Sequence, residues 1–94
     1  MYMEAQLSSR AERDLEKISR YTEEMWGIEQ RIKTALQLKT TLQFLEVYPD
    51  CGQPTDRLNV FVVVVPKLPF IFLYKILKSE ILVLQILHSK QNRK

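Results

Sequence analysis

Between positions 70 and 88 the chain holds two runs of Ile, Leu, Val and Phe separated only by Lys78-Ser79-Glu80, and no other feature restricts the fold so severely. Residues 70–77 and 81–88 have the length and side-chain content of strands, and the polar tripeptide between them reads as a hairpin connection. Neither run alternates cleanly between apolar and polar, which predicts a sheet with apolar side chains on both faces. The apolar character stops at His88, and Ser89-Lys90-Gln91-Asn92-Arg93-Lys94 is wholly polar. A buried strand therefore delivers one imidazole and several cations to the rim of the sheet.

The residues before this pair supply what covers it. Positions 2–7 form a short first strand. Ser9 with Glu12 three residues on has the form of a capping box, so a helix starts there, within a residue. Ala11, Leu15, Ile18, Thr22 and Met25 recur at helical spacing and make one apolar stripe, while Arg13, Glu16, Lys17, Arg20 and Glu24 form a solvated opposite face with Glu16 and Arg20 as a favourable pair. Gly27 falls where the stripe ends and terminates the helix in a left-handed conformation. A second helix follows over 28–47, with Ile28, Ile32, Ala35, Leu38, Leu42 and Leu45 as its stripe, broadened by Leu36 and Phe44. So short a link folds the two helices into an antiparallel hairpin, and Trp26 is expected to close the corner by burying its ring.

Residues 48–56, with two prolines and a glycine, read as a loop between a helical half and a strand half. Residues 59–65 make a strand of high β-propensity, and Pro66-Lys67-Leu68-Pro69 turns it into the pair at 70–88. The expected fold is α+β, in the order β-α-α-β-β-β: a helical hairpin on one face of a small, mainly antiparallel four-stranded sheet. Two helices cover one face only. The other stays exposed and apolar, as a protein interface would be, for a foreign partner or a second copy.

Ninety-four residues with 46% hydrophobic content suffice for one domain, spanning 1–94. A single cysteine, Cys51, permits no internal disulfide and suits a reducing, cytoplasmic setting; it reads as an inert loop thiol. The first residues have no secretory pattern, and the most apolar region, 58–74, is too short and too interrupted by Pro66, Lys67 and Pro69 to span a membrane. One histidine and one cysteine far apart make no metal cluster, and no phosphate-binding glycine loop or other cofactor motif is present. Charge is divided unevenly: residues 1–50 carry seven Lys/Arg against nine Asp/Glu, a net of −2, and residues 51–94 carry seven against two, a net of +5. The cationic sheet half suits an acidic protein or a phosphate backbone, and equally a set of lysines that keeps an apolar sheet soluble.

The stretch Leu7-Ser8-Ser9-Arg10-Ala11-Glu12-Arg13-Asp14-Leu15-Glu16-Lys17-Ile18 with Tyr21, then Leu45, Tyr48-Pro49 and Gly52, Arg57-Leu58, Phe72-Leu73-Tyr74-Lys75-Ile76 and Val83-Leu84-Gln85-Ile86-Leu87-His88-Ser89 resembles, in order and spacing, the RelE/ParE superfamily of toxins from type II toxin–antitoxin pairs. The closing Leu-His-Ser and a basic residue look more like the ParE branch. That resemblance implies a toxin that inhibits DNA gyrase without the RNA-cleaving residues, a cognate acidic antitoxin that wraps it, and a role such as plasmid stabilisation. ParE relatives commonly have arginine after the third-strand tyrosine. Lys75 keeps the charge there but loses the planar fork.

The antitoxin- or target-binding candidates are Arg57, Lys75, Lys78, His88, Lys90 and Arg93. Two other readings stay open: a ribosome-dependent messenger ribonuclease of the RelE kind, and a non-toxic or degenerate member of the family. A ribonuclease needs a base, an acid and phosphate-binding cations. His88, Lys75, Lys90 and Arg93 are the residues for it, and a second proton-transfer group is missing. His88 also has a purely structural reading, on one face with Leu82, Leu84 and Ile86, capping the core. Arg57 has one too, paired with Asp56 or Asp50.

Overall fold

A computed structural model describes residues 3–89. The elements run β1 (Glu4–Leu7), α1 (Ser9–Trp26), α2 (Ile28–Val47), β2 (Gln53–Pro54), β3 (Val60–Val64), β4 (Phe70–Ile76) and β5 (Glu80–His88). They form one sheet in the order β1-β5-β4-β3-β2, with β1 parallel to β5 and every other pairing antiparallel. The α+β architecture and the helical hairpin are as the sequence predicts. The sheet has five strands instead of four, because Gln53 and Pro54, expected in the loop, pair with Val62 and Phe61. Proline lacks the N–H that an interior strand must donate, and at a sheet edge that lack is harmless.

The helices pack on one face. Phe72, Tyr74, Ile81, Val83, Ile86 and Val65 meet Ala11, Leu38 and Leu45 in the core, and Leu7, Leu15, Ile18, Phe61 and Val63 pack around them. Within β4–β5 the register shifts at Leu73/Tyr74, so that Leu73 faces Gln85 and Tyr74 faces Val83. Leu84 is the extra residue. A bulge of this kind reverses side-chain parity along the strand, which corrects the expectation for His88: it shares its face with Ile86, Val83 and Ile81, and Leu82 points the other way.

The helix ends are set by local chemistry. Ser8, one residue before the serine expected, caps α1: its Oγ accepts the Ala11 N–H at 3.0 Å. Gly27 separates the helices at φ 94° and ψ 172°, and its N–H bonds the Glu23 carbonyl. Its φ is positive as expected, but its extended ψ falls outside the left-handed helical well, in a region open essentially to glycine alone. Trp26 does not bury its ring; it is 69% exposed at the corner. The α2 stripe is also turned from the expected position. Its buried residues are Thr34, Leu38, Thr41 and Leu45, while Ile28, Ile32, Ala35, Leu36 and Phe44 are exposed. The two threonines are tolerated inside because each is bonded within the helix: Thr41 Oγ1 donates to the Gln37 carbonyl, and Thr34 Oγ1 accepts from Gln30.

Two tight turns use non-glycine residues at positive φ. Leu68 N–H bonds the Val65 carbonyl around Pro66 and Lys67 (φ 70°), and Val60 N–H bonds the Arg57 carbonyl around Leu58 and Asn59 (φ 63°). Both have the form of a type II turn, whose third position favours glycine or asparagine.

Candidate protein-binding surfaces

β1 pairs with β5 only as far as Val83, while β5 runs on to His88. The Ser8 backbone and the Ser8 and Asp14 side chains continue the ladder. Ser8 N–H donates to the Val83 carbonyl at 2.9 Å, Ser8 Oγ donates to the Leu84 carbonyl at 2.9 Å, and the Asp14 carboxylate accepts the Ile86 N–H at 3.0 Å. The other Asp14 oxygen accepts from Arg10 Nε at 3.2 Å. Glu46 acts similarly at the start of β1, its carboxylate taking the Ala5 N–H at 2.8 Å and its carbonyl the Met3 N–H at 3.0 Å. Sequence reasoning missed both acids. The available signal was Asp14's place on the apolar arc of α1, one turn after Ala11 and one before Ile18.

Beyond this corner α1 and the far end of the sheet diverge into an open groove of about 720 Å³. Ile18, Tyr21 and Thr22 line it from α1, Gln30 and Thr34 from α2, Phe70, Ile86 and His88 from the sheet, and Arg10, Lys17 and Trp26 stand at its sides. The His88 imidazole meets the Phe70 ring edge to face, with centroids 5.6 Å apart. The arrangement gives an apolar floor with a mixed polar rim, in which Arg10 is paired with Asp14 and Lys17 stands beside them.

On the sheet's other face, cross-strand rows run Val60–Lys75–Leu82–Gln6, Val62–Leu73–Gln85 and Val64–Ile71–Leu87. Among the described residues, the set that packs on the core does not include Val62, Val64, Ile71, Leu73, Leu82 or Leu87. Val64 is 65% exposed. Lys75 is the cation of this apolar surface.

The proposed site residues are thus divided. Lys75 sits on the far face, level with Val60; Lys78 lies in the β4–β5 turn and Arg57 in the turn before β3, so these three share one end of the sheet. His88 is at the opposite end, across from Phe70, and faces the helices. Arg57 makes no ion pair with Asp56 or Asp50 among the described residues; its backbone N–H bonds Thr55 Oγ1. Lys90 and Arg93 lie outside the described residues.

The loop at 48–54 is pinned by Tyr74. Its hydroxyl donates to the Pro49 carbonyl at 2.8 Å and accepts the Gly52 N–H at 3.0 Å. Gly52 is required by this close approach, since a Cβ there would lie 2.6 Å from both the Tyr74 hydroxyl and the Val62 carbonyl oxygen. Burial pushes the Tyr74 phenol up to about 12, opposed by the Gly52 amide and reinforced by Cys51 and Asp50. The exposed Cys51 thiol is raised as well, by partial burial and then by Asp50 against its own backbone amide. A raised thiol holds little thiolate at neutral pH, so nothing here activates it.

No helix among the described residues is long and apolar enough to cross a membrane. The fold superposes on a chain of the chromosomal ParDE system from P. aeruginosa with a TM-score of 0.81, covering 93% of this chain and 96% of that one at 20% identity. Toxin ParE1 from Caulobacter vibrioides is 40% identical over 53 residues, which are 56% of this chain and 55% of the relative. The match thus spans about half of that protein's length. The family model for the ParE toxin of the type II toxin–antitoxin system parDE matches residues 5–93, nearly the whole sequence. By that match the chain belongs to the ParE toxin family.

Proposed function

We propose that this protein is the toxin of a type II pair, that a cognate acidic antitoxin neutralises it, and that its target is DNA gyrase. The observation that carries the partner is the far face of the sheet, where rows of Val, Ile and Leu surround Lys75 and the chain's own helices lie on the other side. Apolar area of that kind is stabilised by a covering polypeptide, and carboxylates on it would find Arg57, Lys75 and Lys78 at one end. The chromosomal ParDE system whose chain shares this fold, and the family match over residues 5–93, support the pairing. Lys90 and Arg93 extend the cationic character of the sequence beside His88.

The separation of the polar candidates supports inhibition of gyrase over RNA cleavage. A ribonuclease must bring proton-transfer groups and phosphate-binding cations onto one scissile bond, yet His88 and Lys75 occupy opposite faces and opposite ends of the sheet. Purified protein is tested for gyrase-dependent DNA cleavage and, in parallel, for cutting of ribosome-bound messenger RNA. The expected result is cleaved DNA that appears only with gyrase and disappears when antitoxin is added. Messenger cutting that is lost in His88→Ala would replace this function with the nuclease one.

A further inference from the structure

Helix α2 carries an apolar ridge that its own fold does not use. Ile28, Ile32 and Leu36 are 52%, 53% and 59% exposed, and at 100° per residue they fall on one side of the helix together with Glu29, Ala35 and Lys39, all exposed. We infer that this ridge is a self-association surface, on which a second copy of the chain lays its own α2 antiparallel about a two-fold axis level with Thr34.

The occupant follows from the order of residues along the ridge. Reversing α2 about position 34 sets Ile32 against Leu36 of the second copy, and the two-fold repeats that contact. The same operation brings Glu29 level with Lys39 of the second copy, again twice. Neither Glu29 nor Lys39 belongs to an ion pair among the described residues. A two-fold interface must be complementary to itself in this way. Ala35, at the edge of the ridge, is small enough for close approach, and rows of residues four apart are those by which helices most often interlock. This surface is on the helical hairpin, away from the face assigned above to the antitoxin, so the inference stands whether or not that assignment does.

Sedimentation of the purified full-length chain tests it. A mass twice that of one chain is expected, and Leu36→Arg yields a single chain whose melting temperature equals that of the wild type at concentrations too low for association. Glu29→Lys and Lys39→Glu each raise the dimer dissociation constant roughly tenfold, the scale of two rim pairs, and the two combined restore it. A wild-type protein that stays monomeric at about 100 μM, where even weak dimers of this size populate, overturns the inference. So does a dimer indifferent to Leu36→Arg, or failure of the combined charge reversal to restore association.

Discussion

Alkaline pH should loosen this protein through one hydroxyl. Tyr74 is fully buried, and its phenol is pushed up to about 12 by that burial, against about 10 in an unfolded chain. Below pH 10 the group is protonated in both states and contributes nothing to the pH dependence. Between 10 and 12 only the unfolded chain releases the proton, so unfolding becomes easier as pH rises. Linkage gives a loss of roughly 1 kcal/mol at pH 11 and roughly 3 kcal/mol well above pH 12. Urea titrations at pH 8, 10 and 11 measure it, with Tyr74→Phe as reference. Losing both bonds of the hydroxyl should cost that variant roughly 1–3 kcal/mol at pH 7, but its stability should fall less steeply with pH. The difference spectrum of the two proteins near 295 nm then follows the ionisation of Tyr74 itself. Equal pH slopes in wild type and Tyr74→Phe would refute the reasoning.

Two other outcomes follow from the backbone. Asp14→Ala leaves the Ile86 N–H without its acceptor and should cost roughly 1–3 kcal/mol in chemical denaturation, while Asp14→Asn, which retains a carbonyl oxygen, should recover a good part of that. Lys67 holds a positive φ in the turn before β4; Lys67→Gly should be neutral or stabilising by about 0.5 kcal/mol and Lys67→Val destabilising by more than about 1 kcal/mol, both read from melting temperature.

Element order was legible because each boundary carries its own local chemistry: serines before α1, Gly27 between the helices, prolines and glycine at 48–54, and Lys78-Ser79-Glu80 in the hairpin. The rotation of α2 was not. Its apolar residues occur at 28, 32 and 36 as well as 38, 42 and 45, so periodicity does not choose between two faces, and the sheet selects the one that carries Thr34 and Thr41. Trp26 misled by size, since a large ring is buried only where a neighbour covers it. The β5 bulge at Leu84 has no glycine or polar marker, and so the side of the strand on which His88 falls emerged only from the register. Of the candidate site, the apolar far face was readable from strand runs too rich in Val, Ile, Leu and Phe to alternate. The groove was not, because it exists where β1 stops short of β5, a mismatch of strand lengths that no single segment records.

The pairing of the first strand with the last places Ser8 and Leu84, 76 residues apart, in direct contact. Helix α2 ends at Val47 and β5 at His88, so at translation rates of about 5–20 residues per second the hairpin precedes the completed β5 by roughly 2–8 seconds. During that interval the growing polypeptide has a helical hairpin but lacks the strand that joins β1 to the rest of the sheet. The order of the elements thus delays completion of the fold until synthesis reaches β5, and under the function proposed above an antitoxin already in the cell has those seconds in which to meet the chain.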